Sequence, residues 1–116
     1  MKPINVLSLF DGMSCGRIAL ERAGIPVNQY YASEIDKHAI ANYKYNYPDA
    51  EYIGSVTNVR GHDLERPDVI TFGSPCQDFS LAGKQLGLDG NRSVLLLEAI
   101  RIITECRPSV FVWENV

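Results

Sequence analysis

The chain has 116 residues, 46% hydrophobic and 22% charged, which fits one soluble globular domain with one core and excludes disordered and fibrous classes. With 11 basic against 14 acidic residues and a net charge of −3, the surface as a whole does not attract nucleic acid, so any such contact is local or supplied by another domain. No run approaches the ~18 apolar residues of a membrane span, and the opening MKPINVLSLFDG lacks the features of a signal peptide, so an intracellular protein is expected.

Apolar runs alternate with helical patterns along the chain. INVLSLF (4–10) reads as a buried strand, and GRIALERAG (16–24) as a short amphipathic helix stopped by Gly24. YYASE (30–34) reads as a second strand, followed by a helix from Asp36, its N-cap, to Asn46, with Pro48 beyond its end. EYIG (51–54) is a short third strand, residues 57–64 are helical or irregular, and DVITFG (68–73) is a fourth strand. A polar, glycine-bearing loop (74–92) leads to a core helix over 93–107, in which Leu96, Ile100 and Ile103 share a face, and SVFVWEN (109–115) is a fifth strand.

This β-α-β order predicts a parallel sheet with helices on both faces and right-handed crossovers, a Rossmann-like α/β fold. Such sheets bind ligands outside the carboxyl ends of their strands. Asp11, Glu34, Ser55, Cys76 and Glu114 all fall at or just past a strand's carboxyl end, so they are expected to line one crevice.

Each of these positions has a chemical reading and a plainer alternative. FDGMSCG (10–16) is a glycine-bearing turn where backbone N–H groups can approach a ligand, though Gly12 and Gly16 do not make the G-x-G-x-x-G of a pyrophosphate site. Glu34 lies 18 residues past Gly16, near the ~20 at which such folds place a carboxylate on ribose hydroxyls; the alternative is a solvated charge at a helix entry. The three cysteines, Cys15, Cys76 and Cys106, have no C-x-x-C spacing and read as free thiols. Only Cys76 heads a loop at the ligand edge, behind Pro75, which fixes its backbone; there a thiolate nucleophile is the better reading than a buried filler. Glu114 ends an apolar strand whose burial would raise its pKa, leaving a carboxyl able to donate a proton. His38 and His62 sit away from the strand ends with no second ligand at metal spacing, so no metal is expected.

LSLFDGMSCG, ASEID, GSPCQDFS, GKQLGLDGNRSVLLLEAIRII and ENV occur in the order and spacing of the amino-terminal half of DNA (cytosine-5) methyltransferases, and the chain resembles the bacterial and phage enzymes of that family over nearly all its length. The resemblance implies S-adenosylmethionine as methyl donor and a cytosine flipped out of duplex DNA as substrate. It places Phe10, Asp11, Gly12 and Gly16 around the donor's methionine part and Glu34 on its ribose, with Ile35, Ser55 and Pro75 also at the donor site. It makes Cys76 the nucleophile, Glu114 the group that holds and protonates cytosine N3, and residues 77–92 a loop that closes over DNA.

Two departures from the family pattern stand out. Ser55 occupies the place where many members carry an adenine-binding aspartate, and the family's later arginine pair, remaining strands, target-recognition domain and final helix are absent from these 116 residues. The chain is therefore expected to be a partial catalytic domain, possessing the donor and thiol halves of the site and needing a complementing segment or chain for activity. The alternatives are a tRNA cytosine methyltransferase of the same family and a noncatalytic methyltransferase-like binding module. Strand five is expected to be an apolar, uncovered edge in the isolated chain.

Overall fold

The computed structural model describes residues 1–10, 15–73 and 91–114. Five parallel strands, β1 (Ile4–Leu9), β2 (Val27–Ser33), β3 (Glu51–Gly54), β4 (Val69–Gly73) and β5 (Val110–Glu114), form one sheet in the order β3-β2-β1-β4-β5. The chain winds outward from β1 through β2 to β3 and then crosses to the other side of β1, so the strand order reverses between β1 and β4. The predicted parallel sheet is present, and β2 begins three residues earlier than its apolar run suggested, at Val27.

Side-chain alternation along the central strands feeds two cores. Leu7, Leu9, Tyr31, Ile70 and Phe72 pack on one face with Ala99, Ile102 and Cys106 of α3 (Asn91–Cys106) and with Val56 and Val59. Val6, Tyr30 and Ala32 face the other way, against Tyr43 of α2 (Lys37–Asn46) and Leu20 of α1 (Cys15–Arg22). Burial on both faces explains why β1 reads as a continuous apolar run, and each fully buried aliphatic side chain contributes about 1.5–3 kcal/mol.

Local chemistry sets the element ends. Gly24 (φ 75°) closes α1 in a Schellman motif, with Ile25 N–H donating to the Leu20 carbonyl and Gly24 N–H to that of Glu21, both at 3.0 Å. Asp36 caps α2 as expected, accepting from the N–H groups of His38 (2.8 Å) and Ala39 (3.2 Å). Residues 56–63 form two 3-10 turns, Val56–Asn58 and Gly61–Asp63. At the amino ends of the strands, Asp68 accepts from Asn5 N–H (2.9 Å) and its own N–H donates to the Asn5 carbonyl (2.8 Å), which stitches β1 to β4.

Two expectations need correction. The inward face of α3 is Leu95, Ala99, Ile102 and Cys106, whereas Ile100, expected inside, is half exposed, as are Val94 and Leu97. Val94–Leu97 are four apolar residues in a row, so more than one set of i, i+4, i+7 positions fits an apolar stripe and periodicity could not choose between them. The burial expected for β5 is also not found: Val110, Phe111, Val112 and Trp113 are each 48–55% exposed. The expected uncovered apolar edge is what β5 presents.

Candidate functional site

Because all five strands are parallel, their carboxyl ends share one edge of the sheet. Register brings Leu9 beside Ser33 and Phe72, Ser33 beside Gly54, and Gly73 beside Glu114. Residues immediately past those ends, Phe10, Glu34 and Ser55, therefore open on the same side, with the β1–β4 reversal point between them and the end of β5. Asp11, Gly12, Pro75 and Cys76 lie outside the described residues; Glu114 is placed by its backbone as the last residue of β5.

Phe10 leaves β1 at φ 57°, the left-handed region that a bulky side chain rarely enters. Its ring packs against the α3-side core, and that contact helps offset a backbone cost of about 1–3 kcal/mol. Strained backbone of this kind clusters at binding and catalytic sites, which makes Phe10 a candidate on grounds independent of the turn's composition. Gly16 lies in the first turn of α1, where a Cβ would stand 3.7 Å from the Thr71 hydroxyl of β4, an ordinary contact.

Glu34 is the most firmly held of the candidates. Its N–H donates to the Gly54 carbonyl (3.1 Å), and its own carbonyl accepts from the Tyr52 hydroxyl. One carboxylate oxygen accepts from the N–H groups of Ile35 (2.9 Å) and Asp36 (3.0 Å), so the acid is fastened to the turn that starts α2. Ser33 reinforces the junction, its hydroxyl donating to the Gly54 carbonyl at 2.8 Å. Ile35, next along, projects an aliphatic side chain that is 72% exposed, an apolar surface beside an anchored carboxylate. This pair fits a nucleoside, which presents hydroxyls to one group and a flat base to the other.

Ser55 is engaged locally. Its hydroxyl caps the first 3-10 turn, accepting from Thr57 N–H (3.3 Å), and lies 2.9 Å from the Thr57 hydroxyl. Across β4 and β5, Phe72 stacks on Trp113 (centroids 6.0 Å apart) and on Phe111 (6.4 Å), an aromatic row running toward Gly73 and Glu114.

Several residues that shape the site had no signal in the sequence. Tyr52 and Ser33 act through backbone carbonyls distant in sequence, and Arg101 joins Glu98, Glu105 and the Val56 carbonyl, tying α3 to the segment after Ser55. Arg17 is the most concealed: it pairs with Glu21 four residues on along a short helix, and it is 8% exposed.

Comparison with known proteins agrees with this architecture. The chain is 40% identical over 111 residues to the type II methyltransferase M1.ScrFI of Lactococcus lactis subsp. cremoris, covering 96% of the chain and 28% of that relative. It is 36% identical over 118 residues to the orphan methyltransferase M.Rho11sI of Bacillus phage rho11s, covering 100% of the chain and 24% of the relative. The chain thus spans about a quarter of the length of these relatives. The Entamoeba histolytica methyltransferase EhMeth shares the fold at a TM-score of 0.78 and 22% identity, over 100% of this chain and 39% of that one. The model of the C-5 cytosine-specific DNA methylase family matches residues 4–116, and the chain belongs to that family.

Proposed function

We propose that this chain supplies the methyl-donor site and the catalytic thiol of an enzyme that methylates carbon 5 of cytosine in DNA. The observation that carries the donor half is the anchored Glu34 carboxylate beside exposed Ile35 at the ligand edge of the sheet. Glu34 would accept the ribose hydroxyls, Ile35 would pack on the adenine, Ser55 would lie near the base, and Phe10 with Asp11, Gly12, Gly16 and Pro75 would enclose the methionine part. S-adenosylmethionine, when bound, supplies an electrophilic methyl group.

The chain's own residues carry the remaining chemistry. The Cys76 thiolate adds to cytosine carbon 6 while Glu114 donates a proton to N3, which leaves carbon 5 electron-rich enough to accept a methyl group. After methylation carbon 5 loses its proton to water, the electrons of that bond expel Cys76 from carbon 6 as the thiolate, and N3 returns its proton to the Glu114 carboxylate. A thiolate suits both addition and departure better than the hydroxyls nearby. The target base must leave the duplex to reach such a site, and DNA as substrate places the protein inside a cell.

Residues 1–116 form, on this reading, part of a catalytic domain, and target recognition belongs to polypeptide outside this sequence, continuous with it or complementing it. The half-exposed apolar β5 and the outer face of α3 are the surfaces such polypeptide would cover. Among the described residues no helix is long and apolar enough to cross a membrane.

The test is covalent trapping. The longest natural polypeptide containing this chain, given S-adenosylmethionine and duplex DNA with 5-fluorocytosine, should form a stable protein–DNA adduct that Cys76→Ser abolishes. An adduct that survives Cys76→Ser sinks the mechanism, and trapping on tRNA in place of DNA would transfer the activity to RNA.

A further inference from the structure

Arg17 is the one charged residue buried among the described residues, and its surroundings suit it poorly as a source of stability. Its guanidinium lies between two rings, 5.1 Å from the centroid of Tyr30 and 4.5 Å from that of Tyr47. Nη2 donates to Asp49 at 2.6 Å and Nε stands 3.9 Å from a Glu21 carboxylate oxygen, but Nε and Nη1 are both buried without a hydrogen-bond partner. The Asp49 side chain is 68% exposed, so the ion pair is partly screened. A desolvated cation with orphaned donors is often replaced by an apolar side chain of similar size at no loss of stability.

What an apolar side chain cannot supply is direction. The planar guanidinium joins three elements at once: the first turn of α1, next to Gly16; β2 through Tyr30, upstream of Glu34; and the end of α2 through Tyr47 and Asp49. The two halves of the donor site, one around Gly16 and one around Glu34 and Ile35, are carried by α1 and by the β2–α2 unit respectively. We propose that Arg17 is a positioning residue for the methyl donor, holding these two halves at one fixed separation without touching the donor. The inference rests on the donor-site reading above. A ligand that bridges two subsites gains from both only if their spacing is held, and a misplacement of about 1 Å can cost a hundredfold.

The experiment compares wild type, Arg17→Met and Asp49→Asn in the longest natural polypeptide containing this chain. Melting temperature is measured alongside calorimetric binding of S-adenosylmethionine and NMR titration with adenosine and with methionine separately. Arg17→Met is expected to melt at or above the wild-type temperature, to bind S-adenosylmethionine about tenfold more weakly, and to bind each fragment as wild type does. Asp49→Asn, altering an exposed carboxylate that does not endanger folding, should weaken donor binding in the same direction by about threefold. Unchanged donor affinity in both variants, or a loss shared equally by donor and fragments, overturns the proposal. A wild-type protein that binds no donor overturns the donor-site reading and this inference together.

Discussion

Replacing Gly61 by alanine probes the contact that seats the segment after β3 on α3. An added Cβ would stand 2.7 Å from the Glu105 Cβ, 3.1 Å from the Cys106 sulfur and 3.2 Å from the Glu105 carbonyl carbon. The nearest of these, the Glu105 Cβ, is fixed to the helix backbone and cannot swing aside, so the turn and the helix must part by about 0.7 Å to restore ordinary contact. That movement stretches the 2.8 Å bond from Gly61 N–H to the Glu105 carboxylate and loosens Arg101, which also donates to Glu105 and to the Val56 carbonyl. Overpacking costs about 1–3 kcal/mol, and weakening the charged hydrogen bond adds about 1, so a loss of about 2–4 kcal/mol is expected. Equilibrium urea unfolding, followed by circular dichroism and tryptophan fluorescence, reads this as a lower midpoint at unchanged slope. Gly16→Ala is the matched control: among the described residues its Cβ meets only the Thr71 hydroxyl, at 3.7 Å. Helix propensity should make that variant neutral or more stable by up to about 1 kcal/mol. A Gly61→Ala protein within about 0.5 kcal/mol of wild type would refute the close packing of this turn on α3.

The Gly61 N–H, and after it Arg101, hold the Glu105 carboxyl below its ordinary pKa. A depressed carboxylate contributes stability that is complete above its unfolded pKa and is lost as pH falls through the folded one. Glu105→Gln should therefore destabilise the protein near neutral pH and progressively less below about pH 4; a pH-independent difference in urea midpoint would contradict this. Burial, with Glu105 adding to it, pushes the Cys106 thiol up, and the residue is 6% exposed. Alkylation of the native protein near neutral pH, mapped by peptide mass, should leave Cys106 unmodified, and labelling at the rate of the unfolded chain would overturn that reading. Tyr52→Phe removes the hydroxyl that donates to the Glu34 carbonyl. It should cost about 0.5–1.5 kcal/mol and weaken donor binding, and unchanged values for both in melting and calorimetry would dismiss Tyr52 as a support of the site.

The sequence by itself determined the strand–helix order, the Asp36 cap, the Gly24 stop and the placing of Glu34, Ser55 and Glu114 at strand ends. Each of those is a local property: a run of apolar side chains, a short polar residue before a helix, a glycine after one. The motifs around Cys76 and Glu114 also made the family legible, because they stand in this sequence in the family's order and spacing. What only the tertiary structure decided was which neighbours these elements meet. The inward face of α3 follows from where the sheet and the 3-10 turns lie, so Ala99 and Ile102 are buried and Ile100 is not. Whether β5 is a central or an edge strand is set by what pairs beyond it, which its own apolar pattern cannot express. Arg17 shows the same limit most clearly: the two tyrosines and the aspartate that enclose it come from 13 to 32 positions along the chain. Burial of a charge is a property of packing between elements, and the spacing of residues within one short helix carries no record of it.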